Sequence, residues 1–281
     1  MRSSASITLA VWRALFLREA VARISAGRAA WVWILLEPIA HLLLLNVLFG
    51  FILQRVVSGI PGGLFITTGL LGYFMAHNTA MRSQDAIEAN AGLLTYRQVL
   101  PVDTVLVRTA LEAILVLISG LFLFTGLYIF GFQVIPHDAL LVIAAFVAMW
   151  FLGIGLGLVL SVISELIPEA KKVTKILFRP LYFMSGIMFP ISALPPAYQE
   201  WIMLNPLAHG IEIIRAGFFP QHQYHAVSGA SLGYVLVFAM VTMCLGLALH
   251  IRFAPRLVEQ RSSRKTNISG IRQSTALVSG S

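Results

Sequence analysis

The sequence predicts an all-α integral membrane protein, and three observations carry that prediction. Hydrophobic residues make up 58% of the 281 and charged residues 11%, at a mean hydropathy of +0.84, whereas a soluble domain carries about 25% charged residues. Apolar runs recur at about 31–53, 62–81, 104–130, 139–163, 176–194 and 228–251. Each is of the length that crosses a ~30 Å hydrocarbon core as a helix, the form that leaves no backbone group unpartnered in lipid. The third observation is charge placement. Of the 20 Lys and Arg, 18 fall before the first run, in 82–108, in 164–179 or after the last run, and only Arg55 and Arg215 fall on the other face. That asymmetry predicts six transmembrane helices with both termini cytoplasmic. The net charge of +8 therefore sets orientation and favours anionic lipid headgroups, and nucleic acid is not needed to explain it.

Residues 6–22 predict a helix ahead of the first span. Ile7, Ala10, Val11, Ala14, Leu17 and Val21 cluster on one side, Arg18 falls among them, and Trp12 and Phe16 lie opposite. It reads either as an interfacial helix lying along the headgroups or as a topology anchor. No short apolar core with a small-residue cleavage site accompanies it, so no signal peptide is expected. In span one, Glu37 and His41 are four apart on one helical face, where they could bond each other. They are either a structural pair near the cytoplasmic edge or a proton-coupling site.

Span two mixes Gly69 and Gly72 with Tyr73, Phe74, His77 and Asn78. Small residues let helices approach closely, and the aromatics are either core or conduit lining. Residues 82–101 are the one long polar interruption in the first two-thirds of the chain, tethered at both ends. Asp85, Glu88, Asn90, Arg97 and the Ala-Ile-Glu-Ala run predict a short surface helix stopped by Pro101, placed to receive a push from a soluble partner. Spans three and four form a hairpin through 131–138. The glycines at 153, 155 and 157 sit mid-span with no strand before them, so they predict helix packing and not nucleotide binding.

Residues 165–179, with Lys171, Lys172, Lys175 and Arg179, are either a second partner contact or a solvated loop. Beyond them, prolines at 190, 195, 196, 206 and 220 mark off two short apolar segments, 197–204 and 207–219. These half-helices are too short to span and too apolar for an ordinary outer loop, so they predict re-entrant helices at the outer face, turned by Asn205-Pro206. Residues 1–260 form one membrane domain, and the basic, Ser-rich tail 261–281 is expected to be disordered.

The chemistry that is missing narrows the function. There is no G-x-x-x-x-G-K-[ST] phosphate loop, no H-E-x-x-H or cysteine/histidine metal spacing, and no Gly-x-Ser-x-Gly elbow. Cys244 is the sole cysteine. It cannot close an internal disulfide and reads as packing. The chain is therefore read as a non-enzyme. A membrane transferase built from dispersed residues finds no constellation in its favour.

The order of elements resembles the membrane subunit of ABC-2 type exporters. Particular stretches carry a closer likeness: Ala14-Leu15-Phe16-Leu17-Arg18-Glu19, Leu36-Glu37-Pro38-Ile39-Ala40-His41-Leu42-Leu43, the run from Ala86 to Arg97, the run from Arg179 to Pro190, and Asn205-Pro206-Leu207. Together, over about residues 8–250, they are similar to the capsular polysaccharide export permeases of Gram-negative bacteria, the KpsM type. The resemblance implies a homodimeric inner-membrane permease docked on separate cytoplasmic ATPase subunits, which bind ATP and Mg, so that this chain itself holds no cofactor. The implied cargo is a long acidic capsular polysaccharide on a lipid anchor, passed to a periplasmic adaptor and an outer-membrane channel.

By the same resemblance, 85–97 is the coupling helix, with Asp85, Glu88, Asn90, Leu93 and Arg97 as the ATPase-coupling residues. Residues 181–219 match the outer gate and 8–28 the interfacial helix near the lipid-substrate entrance. There Arg13, Arg18, Arg23 and Arg28 either attract an anionic headgroup or only set orientation. Glu37, His41, Tyr73, Phe74, Tyr182 and Phe183 become candidates for conduit and gate, with core packing as the alternative for each. Other cargoes stay open on sequence alone: O-antigen, teichoic acid or a small drug. A proton-driven carrier relying on Glu37 and His41 would need no ATPase.

Overall fold

A computed structural model of the chain describes residues 4–25, 32, 36, 37, 39–45, 47, 48 and 60–278. Arg28, Pro38 and much of the expected first span lie outside the described residues. Among those described, the protein is helical throughout, without strands. The elements are α1 (Ser4–Ile24), α2 (Gly62–Ser83), α3 (Ala86–Ala89), α4 (Pro101–Ile129), α5 (Ala139–Leu166), α6 (Ala170–Met184), a 3-10 turn (Ile191–Ala193), α7 (Pro196–Ile202), α8 (Pro206–Phe218) and α9 (Leu232–Val278).

Local chemistry explains the starts. Pro101 occupies the first turn of α4, where its missing N–H costs nothing, and the Asp103 carboxylate accepts the Leu100 N–H at 3.0 Å. The Asp138 side chain accepts the Leu141 N–H at 3.0 Å to open α5, and Asn205 accepts the Leu207 N–H at 3.0 Å to open α8. Among the described residues, three helices are long and apolar enough to cross a membrane: α4, α5 and the Leu232–Ala254 part of α9. At 1.5 Å per residue α4 extends about 43 Å.

α2 is the hub, burying sixteen of its 22 residues against α4, α5 and α8. α5 lies between α2 and α9, and its glycines make both contacts. A Cβ on Gly153 would lie 2.7 Å from Thr79 Cβ, and one on Gly155 would overlap Thr242 Oγ1, which is the packing role expected of them. Leu117, Leu121 and Phe122 on α4 and Val237, Met240 and Val241 on α9 point outward, an apolar girdle suited to lipid. Cys244 is exposed beside them. It is not a core packing residue, because its helix presents that face outward.

The molecule has two chemically distinct ends. At the basic end, α1, the 83–103 segment and the α5–α6 connection meet, and the Gln84 amide donates to Ser164 Oγ at 2.6 Å and to Thr174 Oγ1 at 3.3 Å. At the half-helix end, the Asp138 N–H donates to the Gly217 carbonyl at 2.7 Å, tying the α4–α5 turn to the close of α8.

Several expectations need correction. The surface helix expected over 85–97 forms only at Ala86–Ala89. The chain then continues as linked turns, with the Leu93 N–H to Asn90 O at 2.9 Å and the Tyr96 N–H to Leu93 O at 3.0 Å. Asn90 ends the helix because its side-chain amide bonds the Ala86 carbonyl at 2.9 Å. Pro101 begins α4 and does not stop the surface helix.

The fifth apolar run, read as a span over 176–194, is a helix over Ala170–Met184 followed by a turn. Gly186 (φ 71°) turns the chain there, in a conformation that disfavours side chains, and a Cβ on it would lie 2.7 Å from Ile191 Cγ1. α9 runs on through Val278, so residues 261–278 of the tail expected to be disordered are helical, since extending a formed helix needs no new nucleus. α1 turns Leu15 and Glu19 inward, while Leu9, Leu17 and Val21 face out; polar bonds from α1 to α4 decide its rotation. The half-helices expected at 197–204 and 207–219 correspond to α7 and α8.

Candidate functional site

α2, α4, α6, Glu37 and His41 enclose a cleft of about 650 Å³. All six conduit candidates line it: Glu37, His41, Tyr73, Phe74, Tyr182 and Phe183. α2 places Tyr73 and His77 one turn apart, so their rings stack at 4.9 Å between centroids. From α6, Phe178 meets His77 edge-on at 5.1 Å and Tyr182 meets Tyr73 edge-on at 5.1 Å. The Tyr73 hydroxyl donates to the Phe178 carbonyl at 3.2 Å. His41 Nε2 bonds the Tyr182 hydroxyl at 2.5 Å, so its partner is across the cleft and is not Glu37, which is exposed on the cleft wall.

Arg23, Arg82, Lys175 and Arg179 add cations to the same cleft, with Asp85 and Glu112 as its other acids. Ring faces hold flat apolar surfaces with little directional demand, and the cations suit carboxylates or phosphates. Arg82, Phe178, Lys175 and Arg179 were not singled out for the cleft on sequence. Nothing in the local pattern says that residues about 90 positions apart share a wall.

Asp85, at the cleft, and Glu88, next to it, are exposed, and Lys171 Nζ lies 2.6 Å from a carboxylate oxygen of each. Burial works against the Lys171 charge, but its bonds to Asp85 and Glu88 outweigh it and hold the ammonium above the ordinary lysine value. Arg97 is exposed and Leu93 half-buried. Asn90 differs from these four, being fully buried. Its amide donates to Glu19 Oε1 at 2.6 Å, and its carbonyl oxygen accepts from Arg18 at 2.5 Å.

Glu19 in turn takes both Nη2 and Nε of Arg108, at 2.7 and 3.2 Å. Arg23 pairs with Glu112; burial lowers its pKa and the Glu112 carboxylate opposes that. Trp12 Nε1 donates to Asp103 at 2.9 Å. Of the four arginines proposed for substrate entrance, Arg18 and Arg23 are engaged in holding α1 to its neighbours, Arg13 is exposed, and Arg28 lies outside the described residues. Arg108 and Glu112 were not singled out on sequence, although two charges one turn apart inside an apolar run are the signal that could have found them.

At the half-helix end, Arg215 of α8 is fully buried. Nη1 donates to the Gly186 carbonyl at 2.7 Å, and Nη2 donates to the Ile187 carbonyl at 2.9 Å and the Phe65 carbonyl at 3.3 Å. The guanidinium carbon lies 3.6 Å from the centroid of the Phe65 ring. Gly69 leaves the space, since a Cβ there would lie 2.5 Å from Nη2. Glu212 lies 3.8 Å from Arg215 and accepts from the Tyr224 hydroxyl at 2.6 Å and the Val227 N–H at 3.1 Å.

Apolar helices of spanning length and an aromatic, cation-lined cleft beside them have the character of a transport subunit. The profile of the ABC-2 type transporter family matches residues 10–219, and the chain belongs to that family. It is 36% identical over 249 residues to the polysialic acid transport protein KpsM of Escherichia coli, covering 89% of this chain and 95% of KpsM. The capsule polysaccharide export inner-membrane protein CtrC of Neisseria meningitidis serogroup B is 28% identical over 251 residues, 89% of this chain and 94% of CtrC. The corresponding protein BexB of Haemophilus influenzae is 27% identical over 253 residues, 90% of this chain and 94% of BexB.

Proposed function

We propose that the chain is the membrane-spanning subunit of an ATP-driven exporter that moves lipid-linked acidic capsular polysaccharide across the bacterial inner membrane. The observation that carries this reading is the cleft: ring faces on its walls and cations among them, beside the exposed carboxylates of the 85–88 segment. Sugar rings can slide on aromatic faces because stacking asks for no fixed donor–acceptor register. The likeness to KpsM, CtrC and BexB over nearly their whole length supports the cargo class.

In this reading the chain crosses the membrane six times with both termini cytoplasmic, as the charge distribution favours. A separate cytoplasmic ATPase binds ATP and Mg and engages 85–97 through Asp85, Glu88, Leu93 and Arg97. Two copies assemble so that the open side of each cleft faces the other. A periplasmic adaptor and an outer-membrane channel take the polymer onward.

The test is complementation. The chain is expressed with its cognate ATPase in a capsule-producing strain that lacks its own permease, and surface polymer is assayed. Surface polymer that disappears when the ATPase's phosphate-loop lysine is replaced is the expected result. Polymer trapped inside despite a membrane-inserted, ATPase-bound complex assigns a different cargo, such as O-antigen. A chain that binds no ATPase overturns the reading.

A further inference from the structure

We infer that α6 is the lever linking the ATPase-facing segment to the half-helices, latched at its basic end by Lys171 and Gln84 and gripped at its far end by Arg215. The inference rests on the function proposed above and assigns positioning roles that the family likeness does not supply.

The first ground is freedom. α6 buries only Thr174 and Phe178 of its fifteen residues, whereas α2, which leads directly into the 85–97 segment, buries sixteen of its 22 in the main core. Displacing α2 as a body would break contacts with three helices. Displacing α6 disturbs few, because close packing resists movement only where it exists.

The second ground is attachment. At the basic end, Lys171 bridges Asp85 and Glu88, each at 2.6 Å, and buried Gln84 bonds Thr174 at 3.3 Å. A push on the two carboxylates therefore reaches the first turn of α6. At the other end, the chain leaving α6 offers the Gly186 and Ile187 carbonyls to Arg215 of α8 at 2.7 and 2.9 Å. Asn205, which opens α8, also donates to Ser185 Oγ at 3.0 Å.

The third ground is what α6 carries between its ends: Lys175, Phe178, Arg179, Tyr182 and Phe183, one wall of the cleft. A shift of α6 thus moves the cleft wall and pulls on α8 in one motion. Opening of the conduit and displacement of the half-helices are then a single event.

The test uses the full chain bound to its cognate ATPase, in a Cys244→Ser background. One spin-label pair, Ile114→Cys with Ile176→Cys, spans the cleft from α4 to α6; the other, Leu140→Cys with Tyr198→Cys, spans the half-helix end. All four positions are exposed. Electron-resonance distances are compared with and without a non-hydrolysable ATP analogue. Both pairs are expected to change in the parent, and both changes are expected to vanish in Lys171→Ala/Gln84→Ala while ATPase binding persists. Lys171→Arg should restore them, which a general loss of structure would not allow. Arg215→Lys is expected to keep the cleft change and lose the half-helix change; should it fail to accumulate, Asn205→Ala provides the same comparison. A half-helix change of full size in Lys171→Ala/Gln84→Ala overturns the lever alone. A parent in which neither pair responds overturns the coupling reading and the lever with it.

Discussion

The two ends of α6 are held by different chemistry. Arg215 is wholly buried, bonded to three backbone carbonyls and laid over Phe65. Lys171 keeps 27% of its side chain exposed, and Asp85 and Glu88 keep 55% and 53%. A buried cation stripped of its partners is expensive, while an exposed ion pair is worth little because water competes for both charges. One end of the helix is therefore a fixed anchor and the other a contact that can be made and broken at small cost. Removability suits the end that meets a partner, and permanence suits the end that must not slip.

The largest effect should come from the anchor. Arg215→Met leaves the Gly186 and Ile187 carbonyls without their donors and should cost about 3–5 kcal/mol, read as a large fall in melting temperature of the detergent-purified protein. A wild-type melting curve would break the comparison. Next comes the bond between α1 and α4. Glu19→Gln leaves buried Arg108 without a counter-charge and should cost about 3 kcal/mol. Glu19→Leu with Arg108→Met should cost less than the sum of the singles in a double-mutant cycle; strict additivity would mean that the pair does not act as a unit.

Tyr182→Phe removes only the bond to His41, a loss of about 1 kcal/mol. It should leave surface polymer nearly unchanged, whereas Tyr182→Ala should reduce it. Equal export from both variants would remove the ring from the path. The smallest stability effect belongs to the latch. Lys171→Ala should cost about 1 kcal/mol or less, within the scatter of a melting experiment, yet reduce surface polymer strongly. A substitution that is nearly silent in stability and severe in export is what separates latch from anchor.

Much of this arrangement could be read from the sequence, and the reasons are physical. α2, α4 and α5 were legible as long apolar runs, and α7 and α8 from the prolines at 196 and 206 that mark their starts, whereas Pro101 was read as a stop and in fact opens α4. The fifth span misread 176–194 because hydropathy does not distinguish a helix from an apolar turn, and Gly186 and Pro190 were the local signs that the helix ends. The helix over 85–97 was over-extended because the sequence does not show that Asn90 turns inward to a partner, Glu19, 71 positions away. The same holds for Arg18 and Arg23. Their charges were legible as topology signals, but Asn90 and Glu112 became their partners only when α1 folded against α4 and the 83–103 segment. All six residues named in sequence as conduit candidates line one cleft, since aromatic and ionisable groups in apolar runs are conspicuous wherever they finally meet.

Pro180 sits inside α6, between the cationic half that carries Lys175 and Arg179 and the half that carries Tyr182 and Phe183. Proline has no N–H to give, so the rung to the carbonyl of Ile176 is missing and the helix bends there more readily than elsewhere. A jointed rod transmits angle in place of thrust. Movement at Lys171 would therefore arrive at Tyr182 as a change of tilt, swinging the ring about its hydrogen bond to His41 like a door on its hinge. Pro180→Ala, by restoring the rung, should stiffen that joint and slow export without loosening either end.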